Sequence, residues 1–312
     1  MALSFFLLTD FGTTDPYVAQ MKGVLSTLAP QYPIYDITHN VQPHNIGQAA
    51  FYLDSTIEHL PPHSVTICVV DPGVGTSRDL LCIVIQNKAV LAPDNGCLSF
   101  LRQSHPNAPI YRISQENLPL EHTRHSSTFH GRTIFSPLAA DIALHIEQTP
   151  AYIKCVSPVP FAKDSTQDCR PEPFPPQPAY SKSILTNYMN SNGHALTNAI
   201  VTMPESMAQL IDNTIETQVL HIDTFGNAIL ALPSARWSSA IEHGGELTLH
   251  TQAIRPLTFI SAYAALKPDQ VGIICGSQGY LELACNMKSA ADIINLKLGD
   301  TIRITLSHTP ET

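Results

Sequence analysis

The chain has 312 residues, 44 % apolar and only 14 % charged, which is enough length and apolar content for a full core and two domains. The formal net charge of −9 disfavours general binding to nucleic acid or an anionic membrane, and no apolar run reaches the roughly 18 residues of a membrane span. So low a charged fraction also excludes wholesale disorder.

The N-terminal run Leu3 to Thr9 has no basic region before it and reaches Asp10 at once. It reads as a first buried strand, not a secretion signal. Asp15-Pro16 predicts a helix start, and Val18, Met21, Val24 and Leu25 give its apolar face. Ile34 to Ile37 is a short strand, and Ile46 to Leu53 a second helix. Val65 to Val70 is a third strand, ending at Asp71-Pro72-Gly73. Leu80 to Gln86 and Ala89 to Ala92 read as a hairpin or adjacent strands. Pro93-Asp94-Asn95-Gly96 is a turn before another helix, and Phe135 to Ile146 is a further helix. Strands alternating with helices predict an α/β N-terminal domain with a mostly parallel central sheet over residues 1–160. Ligands of such sheets sit beyond the carboxyl ends of the strands, where Asp10 and Asp71 fall.

A Pro-rich linker is expected over 161–185, clearest at Glu172-Pro173-Phe174-Pro175-Pro176-Gln177-Pro178. Residues 186–312 are expected to form a small C-terminal β-barrel domain carrying an N-terminal insertion. Within it Met203 to Ile211 reads as a short helix. Strands are predicted at Gln218 to Asp223, Ala228 to Leu232, Glu246 to Thr251, Val271 to Cys275, Leu281 to Ala284 and Thr301 to Leu306. Short strands with Gly turns suit a barrel or a sandwich.

Seven cysteines, at 68, 82, 97, 155, 169, 275 and 285, form no CxxC pair, which fits a reducing compartment and a cytoplasmic location. Fourteen histidines include no HExxH and no tight His/Cys cluster, so no metal site is expected.

Five polar segments can carry chemistry. Asp10 follows the first strand and can accept two hydroxyl hydrogen bonds, as a ribose diol offers; Asp10 or Asp15 can equally cap the next helix. Gly73 and Gly75 let a turn fold Arg78 back toward Asp71, as a pair that polarises water or one that pins the loop. His130, before a helix, can position a small nucleophile or be a satisfied structural group. Asp223 ends a strand, with Phe225 able to stack on a planar ring and Asn227 able to face an adenine edge; the plainer reading is an Asx turn with Phe225 in the core. Ser277 lies in a strand–turn–strand element whose amides can hold a carboxylate or simply close a hairpin.

Together these segments resemble the SAM hydroxide adenosyltransferases, relatives of the fluorinases and chlorinases. The markers occur in order: Thr9-Asp10-Phe11-Gly12 with Asp15, Val70-Asp71-Pro72-Gly73-Val74-Gly75 with Arg78, Pro93-Asp94-Asn95-Gly96, Thr128-Phe129-His130-Gly131-Arg132, Ile222-Asp223 with Phe225-Gly226-Asn227, and Gly279 through Ala284. The resemblance implies cleavage of S-adenosyl-L-methionine by water to adenosine and L-methionine, with no cofactor. It implies Asp71, Arg78 and His130 as the catalytic trio and Asp10 as the holder of the ribose hydroxyls. It implies Asp223 and Ser277 for the methionine amine and carboxylate, and Phe225 and Asn227 for the adenosine end. A homotrimer with sites between subunits follows by the same likeness. Halide-dependent cleavage and a non-catalytic sensor of S-adenosylmethionine or adenosine are the alternatives; the halogenases lack the Asp found here at 71. The chain departs from the pattern at Thr133, where the family commonly has Asp, at Gly276, usually Asn, and at Gln278 and Cys285, where some members place Arg.

Overall fold

The computed structural model describes residues 3–113, 129–148, 189, 195–197, 200–203 and 208–308. The described residues fall into two compact units, 1–202 and 203–312.

The first unit is built on a seven-stranded sheet. Its strands are β1 (Phe5–Thr9), β2 (Ile34–Thr38), β3 (Val65–Val69), β4 (Leu80–Ile85), β5 (Lys88–Pro93), β6 (Ile110–Arg112) and β7 (Ala195–Leu196). The order is β2-β1-β3-β5-β4-β6-β7. The four strands from β2 to β5 are parallel, and β4, β6 and β7 extend the sheet antiparallel. The hairpin reading of β4 and β5 is the one observed, with Gln86 and Asn87 at positive φ in its tight turn. Helices cover both faces, as the continuous apolar strands require. On one face Phe5, Leu7 and Ile67 pack with Met21 and Leu25 of α1 (Tyr17–Leu28) and Leu138, Ile142 and Ile146 of α4 (Ser136–Gln148). On the other, Leu8, Cys68 and Val70 pack with Ala49, Leu53 and Ile57 of α2 (Ile46–Ile57) and Leu98 and Leu101 beside α3 (Ser99–Ser104). Successive strand residues thus face opposite layers.

β7 lies in the segment expected to open the second domain, yet it pairs with β6 of the first sheet, Tyr111 opposite Leu196. The Pro-rich linker lies outside the described residues. No helix among those described is long and apolar enough to cross a membrane.

The second unit is a closed seven-stranded β-barrel. Its strands are β9 (Thr214–Ile222), β10 (Ala228–Pro233), β11 (Leu247–His250), β12 (Ile254–Ile260), β13 (Val271–Cys275), β14 (Tyr280–Cys285) and β15 (Thr301–Leu306). They run β10-β14-β13-β12-β11-β15-β9, and β9 pairs with β10 to close the ring. Closure leaves no open edge in the ring. The interior is filled by residues such as Leu230, Leu249, Ile273, Leu283 and Ile304, with Trp237 of α5 (Ser234–His243) and Ile294 of α6 (Ala290–Ile294) packed on it.

The helix expected over Met203 to Ile211 is not found in its described part. Ala208–Ile211 is strand β8, antiparallel to β9. Asp212 at φ 55° makes the tight turn that returns the chain, and a strand edge supplies hydrogen bonds that a short isolated helix lacks. α5 and β12 are not among the expected elements.

Candidate active site

The first cluster lies at the carboxyl ends of β1 and β3. After β3 the chain enters the loop Asp71–Arg78. The Val74 and Thr76 N–H groups donate to the Asp71 and Gly73 carbonyls, and Gly75 takes φ 83°. This tight winding folds Arg78 back onto Asp71. Its Nε donates to Asp71 Oδ1 at 2.6 Å, and its Nη2 donates to Oδ2. The fork-on-fork pairing fits the planar geometry of both groups. Both side chains are more than nine-tenths buried, at 8 % and 4 % exposure.

The same Nη2 lies 3.1 Å from Nδ1 of His130, itself buried. The fold thus brings residues 71, 78 and 130 together in one cluster. Arg78 Nη1 is buried and has no hydrogen-bond partner among the described residues. A buried unpaired donor costs about 1–3 kcal/mol, more when charged, unless something binds it. It is therefore the natural seat of an oxygen ligand.

His130 is held by a single π-helical turn, Gly131–Phe135, leading into α4. Such turns widen the helix and often sit at functional sites. Phe129 packs edge-on against Phe11 and Tyr17, with centroids 5.5 and 5.2 Å away, and Arg132 lies over its ring at 5.4 Å. Gly131 is closely packed: a Cβ there would lie 2.9 Å from the Phe129 ring and 3.0 Å from Met21 Sδ, so a larger residue needs one of them to shift. The Thr133 departure has a local role. Its hydroxyl donates to the Phe129 carbonyl at 3.0 Å, supporting the residue before His130.

Asp10 emerges from β1 in the same unit. Its Oδ2 accepts the His44 N–H at 2.8 Å, and the His44 ring Nδ1 is 4.0 Å from that oxygen. Asp10 Oδ1 has no partner among the described residues. The loop is fixed from below by His39, whose ring bonds the Thr9 hydroxyl at 2.8 Å and whose carbonyl accepts the Gly12 N–H. Asn95, in the Pro93 to Gly96 turn, donates to the Val70 carbonyl at 2.9 Å and so pins the end of β3 beside Asp71. His39 and His44 act through contacts distant in sequence, so no local signal marked them as site supports, whereas Asn95 lies in the turn at 93–96 that the sequence marks. Asp15 is exposed and makes no cap for α1, whose N-cap Pro16 has no side-chain bond. It joins neither cluster.

Beneath the site Cys97 donates through Sγ to the Val70 carbonyl at 3.7 Å. The neighbouring Cys68 thiol, burial, and the Asp71 and Asp10 charges push its own thiol well above the usual range. It is thus a protonated, apolar packing group.

The second cluster lies at one end of the barrel. Asp223 forms the Asx turn: Oδ1 accepts the N–H groups of Phe225 and Asn227 at 2.9 and 2.8 Å, and Oδ2 accepts the Asn227 side-chain N–H at 2.9 Å. The Phe225 placement differs from the core reading, since its ring is 78 % exposed. The two backbone bonds and the positive φ of Gly226 turn it outward, while the Gly226 face is taken by Ser289. Asn227 is buried, with its amide committed to Asp223. Ser277 is exposed in the turn between β13 and β14, closed by the Gly276 N–H to the Tyr280 carbonyl at 2.8 Å. Gly276 packs against Glu282: a Cβ there would lie 2.6 Å from Oε2, so a larger residue needs that side chain to shift. Cys285 is buried against the barrel core.

Residues 5–150 match the model of the SAM hydroxide adenosyltransferase N-terminal domain, and residues 217–303 match that of the C-terminal domain. The chain belongs to the SAM hydroxide adenosyltransferase family. It is 30 % identical over 297 residues, 95 % of each chain, to the (R)-S-adenosyl-L-methionine hydrolase of Salinispora arenicola. It is 27 % identical to the enzyme of the same name from Thermus thermophilus, covering 96 % of this chain and 98 % of that one. The fluorinase of Actinopolyspora mzabensis is more distant, at 23 % identity over 96 % of each. A solved structure of an uncharacterised protein from Thermotoga maritima superposes with a TM-score of 0.70 at 25 % identity, covering 96 % of this chain and 99 % of that one.

Proposed function

We propose that this protein hydrolyses S-adenosyl-L-methionine by attack of water or hydroxide at C5′, giving adenosine and L-methionine. The observation that carries the reading is the joined Asp71–Arg78–His130 cluster with a buried, unpartnered guanidinium N–H. The hydrolase names of relatives matching nearly the whole chain support it.

The chemistry follows from the substrate. C5′ is bonded to a sulfonium, so methionine leaves neutral and needs no acid. The barrier lies in the nucleophile, because hydroxide is scarce near neutral pH. Arg78 Nη1 would donate to the attacking oxygen and favour its ionised form. Asp71, the anion of the cluster, would take the proton released as the O–C5′ bond forms and the C5′–S bond breaks. His130 would hold the guanidinium in place and donate from Nε2. Asp10 Oδ1 would accept a ribose hydroxyl, fixing the in-line approach. One displacement inverts C5′. No cofactor enters this scheme.

The candidate groups divide between the two units, Asp71, Arg78, His130 and Asp10 in the first and Asp223, Phe225 and Ser277 in the second. From the family likeness we propose a homotrimer in which each site draws on two subunits. Activity should then fall on dilution before the fold is lost.

The test is turnover of S-adenosylmethionine in oxygen-18 water without halide. Equal adenosine and methionine, with the label on the 5′-hydroxyl, is the expected result. Binding without turnover would replace hydrolysis with sensing, and a product requiring added chloride or fluoride would replace it with halogenation.

A further inference from the structure

The barrel holds one buried acid that the scheme above does not use. Glu282 lies in the middle of β14, where its neighbours Leu281 and Leu283 face the barrel core. Glu282 therefore faces outward, beside Ile229 of β10 and Ile274 of β13, its cross-strand partners. It is nonetheless 6 % exposed, because Tyr263 covers it and donates its hydroxyl to Oε1 at 2.5 Å. Oε2 has no hydrogen-bond partner among the described residues, and no Lys or Arg among them pairs with Glu282. Burial and the nearby Asp223 charge both raise its carboxyl above the usual range. A carboxylate so placed lacks a cation.

The position of Oε2 indicates what that cation is. It faces the Gly276–Ser277 turn closely: a Cβ at 276 would lie 2.6 Å from it. The family resemblance assigns Ser277 to a carboxylate and Asp223 to an amine. Asp223, however, already accepts three hydrogen bonds from its own turn, whereas Glu282 accepts one. An α-amino acid carries ammonium and carboxylate on one carbon. A carboxylate immediately behind a carboxylate-binding turn is placed to read that head group, with the three ammonium N–H donors shared between two acids.

We propose that Glu282, through Oε2, is a binding residue for the α-ammonium group of the amino-acid end of the substrate, with Tyr263 as its positioning residue. This rests on the hydrolase reading of the preceding subsection. It makes the site selective for a zwitterionic sulfonium over one that lacks the amine, because removal of the amine leaves the buried acid unpaired.

The experiment compares the full-length wild type with Glu282→Gln and Tyr263→Phe on S-adenosyl-L-methionine and on its deaminated sulfonium analogue. Glu282→Gln keeps the shape and the acceptor for Tyr263. It should lower kcat/KM on S-adenosylmethionine by about ten- to a hundredfold, chiefly through KM, the range expected for losing a charge-assisted hydrogen bond. On the deaminated analogue it should stay within about twofold of wild type, since no ammonium is there to lose. Tyr263→Phe should show a smaller loss with the same selectivity, and it carries the test if Glu282→Gln fails to fold. Equal fractional losses on both substrates would make Glu282 a structural group and overturn the proposal, as would no loss on either. If the wild type binds S-adenosylmethionine but does not cleave it, the hydrolase reading fails alone, and the same comparison by calorimetry decides Glu282. If the wild type binds neither compound, both readings fall.

Discussion

Arg78 Nη2 lies 3.1 Å from His130 Nδ1, and this contact joins the histidine to the Asp71–Arg78 pair. A guanidinium has only donors, so in this contact Nδ1 is the acceptor. Arg78 spends Nε and Nη2 on Asp71 and His130, and Nη1 has no partner among the described residues. The three groups differ in chemistry: one carboxyl, one guanidinium and one imidazole.

Arg78→Lys should reduce kcat by about a hundredfold or more, the usual range for removing an oxyanion donor. Lysine preserves the charge but cannot contact Asp71, His130 and a nucleophile together in one plane. KM should change less than kcat. Steady-state kinetics on S-adenosylmethionine checks this, and an unchanged kcat would show that charge alone suffices.

Asp71→Asn should be costly to both rate and fold. It leaves the Arg78 charge buried without its counter-ion, a change of about 3–5 kcal/mol for a buried pair. Denaturant unfolding should show a lowered midpoint with unchanged slope. The double variant Asp71→Asn with Arg78→Met should recover part of the stability and none of the activity.

Gly131→Ala tests the support of His130. The added methyl would meet Phe129 and Met21 at 2.9 and 3.0 Å, and overpacking of this kind costs about 1–3 kcal/mol. Relief by shifting Phe129 would displace the adjacent His130. A lower melting temperature with a disproportionate loss of kcat is the expected pair of results. Full activity in a destabilised variant would separate the aromatic cluster from the chemistry.

Stability should fall as the medium is acidified below the ordinary histidine pKa. Burial lowers His63, His105 and His221 from 6.5, so each binds its proton more readily in the unfolded chain. Their contribution is fully present above about pH 6.5 and is lost as pH falls through the folded values. Thermal unfolding measured from pH 7.5 to pH 5 should show the decline, and His105→Gln should flatten it. A melting temperature independent of pH across this range would contradict the sign.

The strand ends that carry Asp10 and Asp71 were readable because, in an α/β chain, a continuous apolar run closing on a carboxylate and a Gly turn marks a buried parallel strand giving way to its carboxyl-end loop. The pairing of Asp71 with Arg78 was readable because they stand seven positions apart with two glycines between them. His130 was readable as a candidate but not as a partner, since it stands 52 positions from Arg78. The expected helix before β9 failed because Ala208 to Ile211 is too short for helical period to decide, and the partner strand decides instead. Phe225 failed as a core residue because an aromatic side chain says nothing of the direction in which a turn points it.

The sequence by itself determined the α/β unit, the barrel strands with a clear alternation, and the residue types gathered for chemistry. These depend on periodicity and turn chemistry within a few residues. Only the tertiary structure decided that Arg78 Nη1 has no partner among the described residues, that Glu282 is buried under Tyr263, and that its Oε2 packs against Gly276. Such facts depend on burial and on contacts between distant segments, because whether a polar atom is satisfied is fixed by what the fold packs around it.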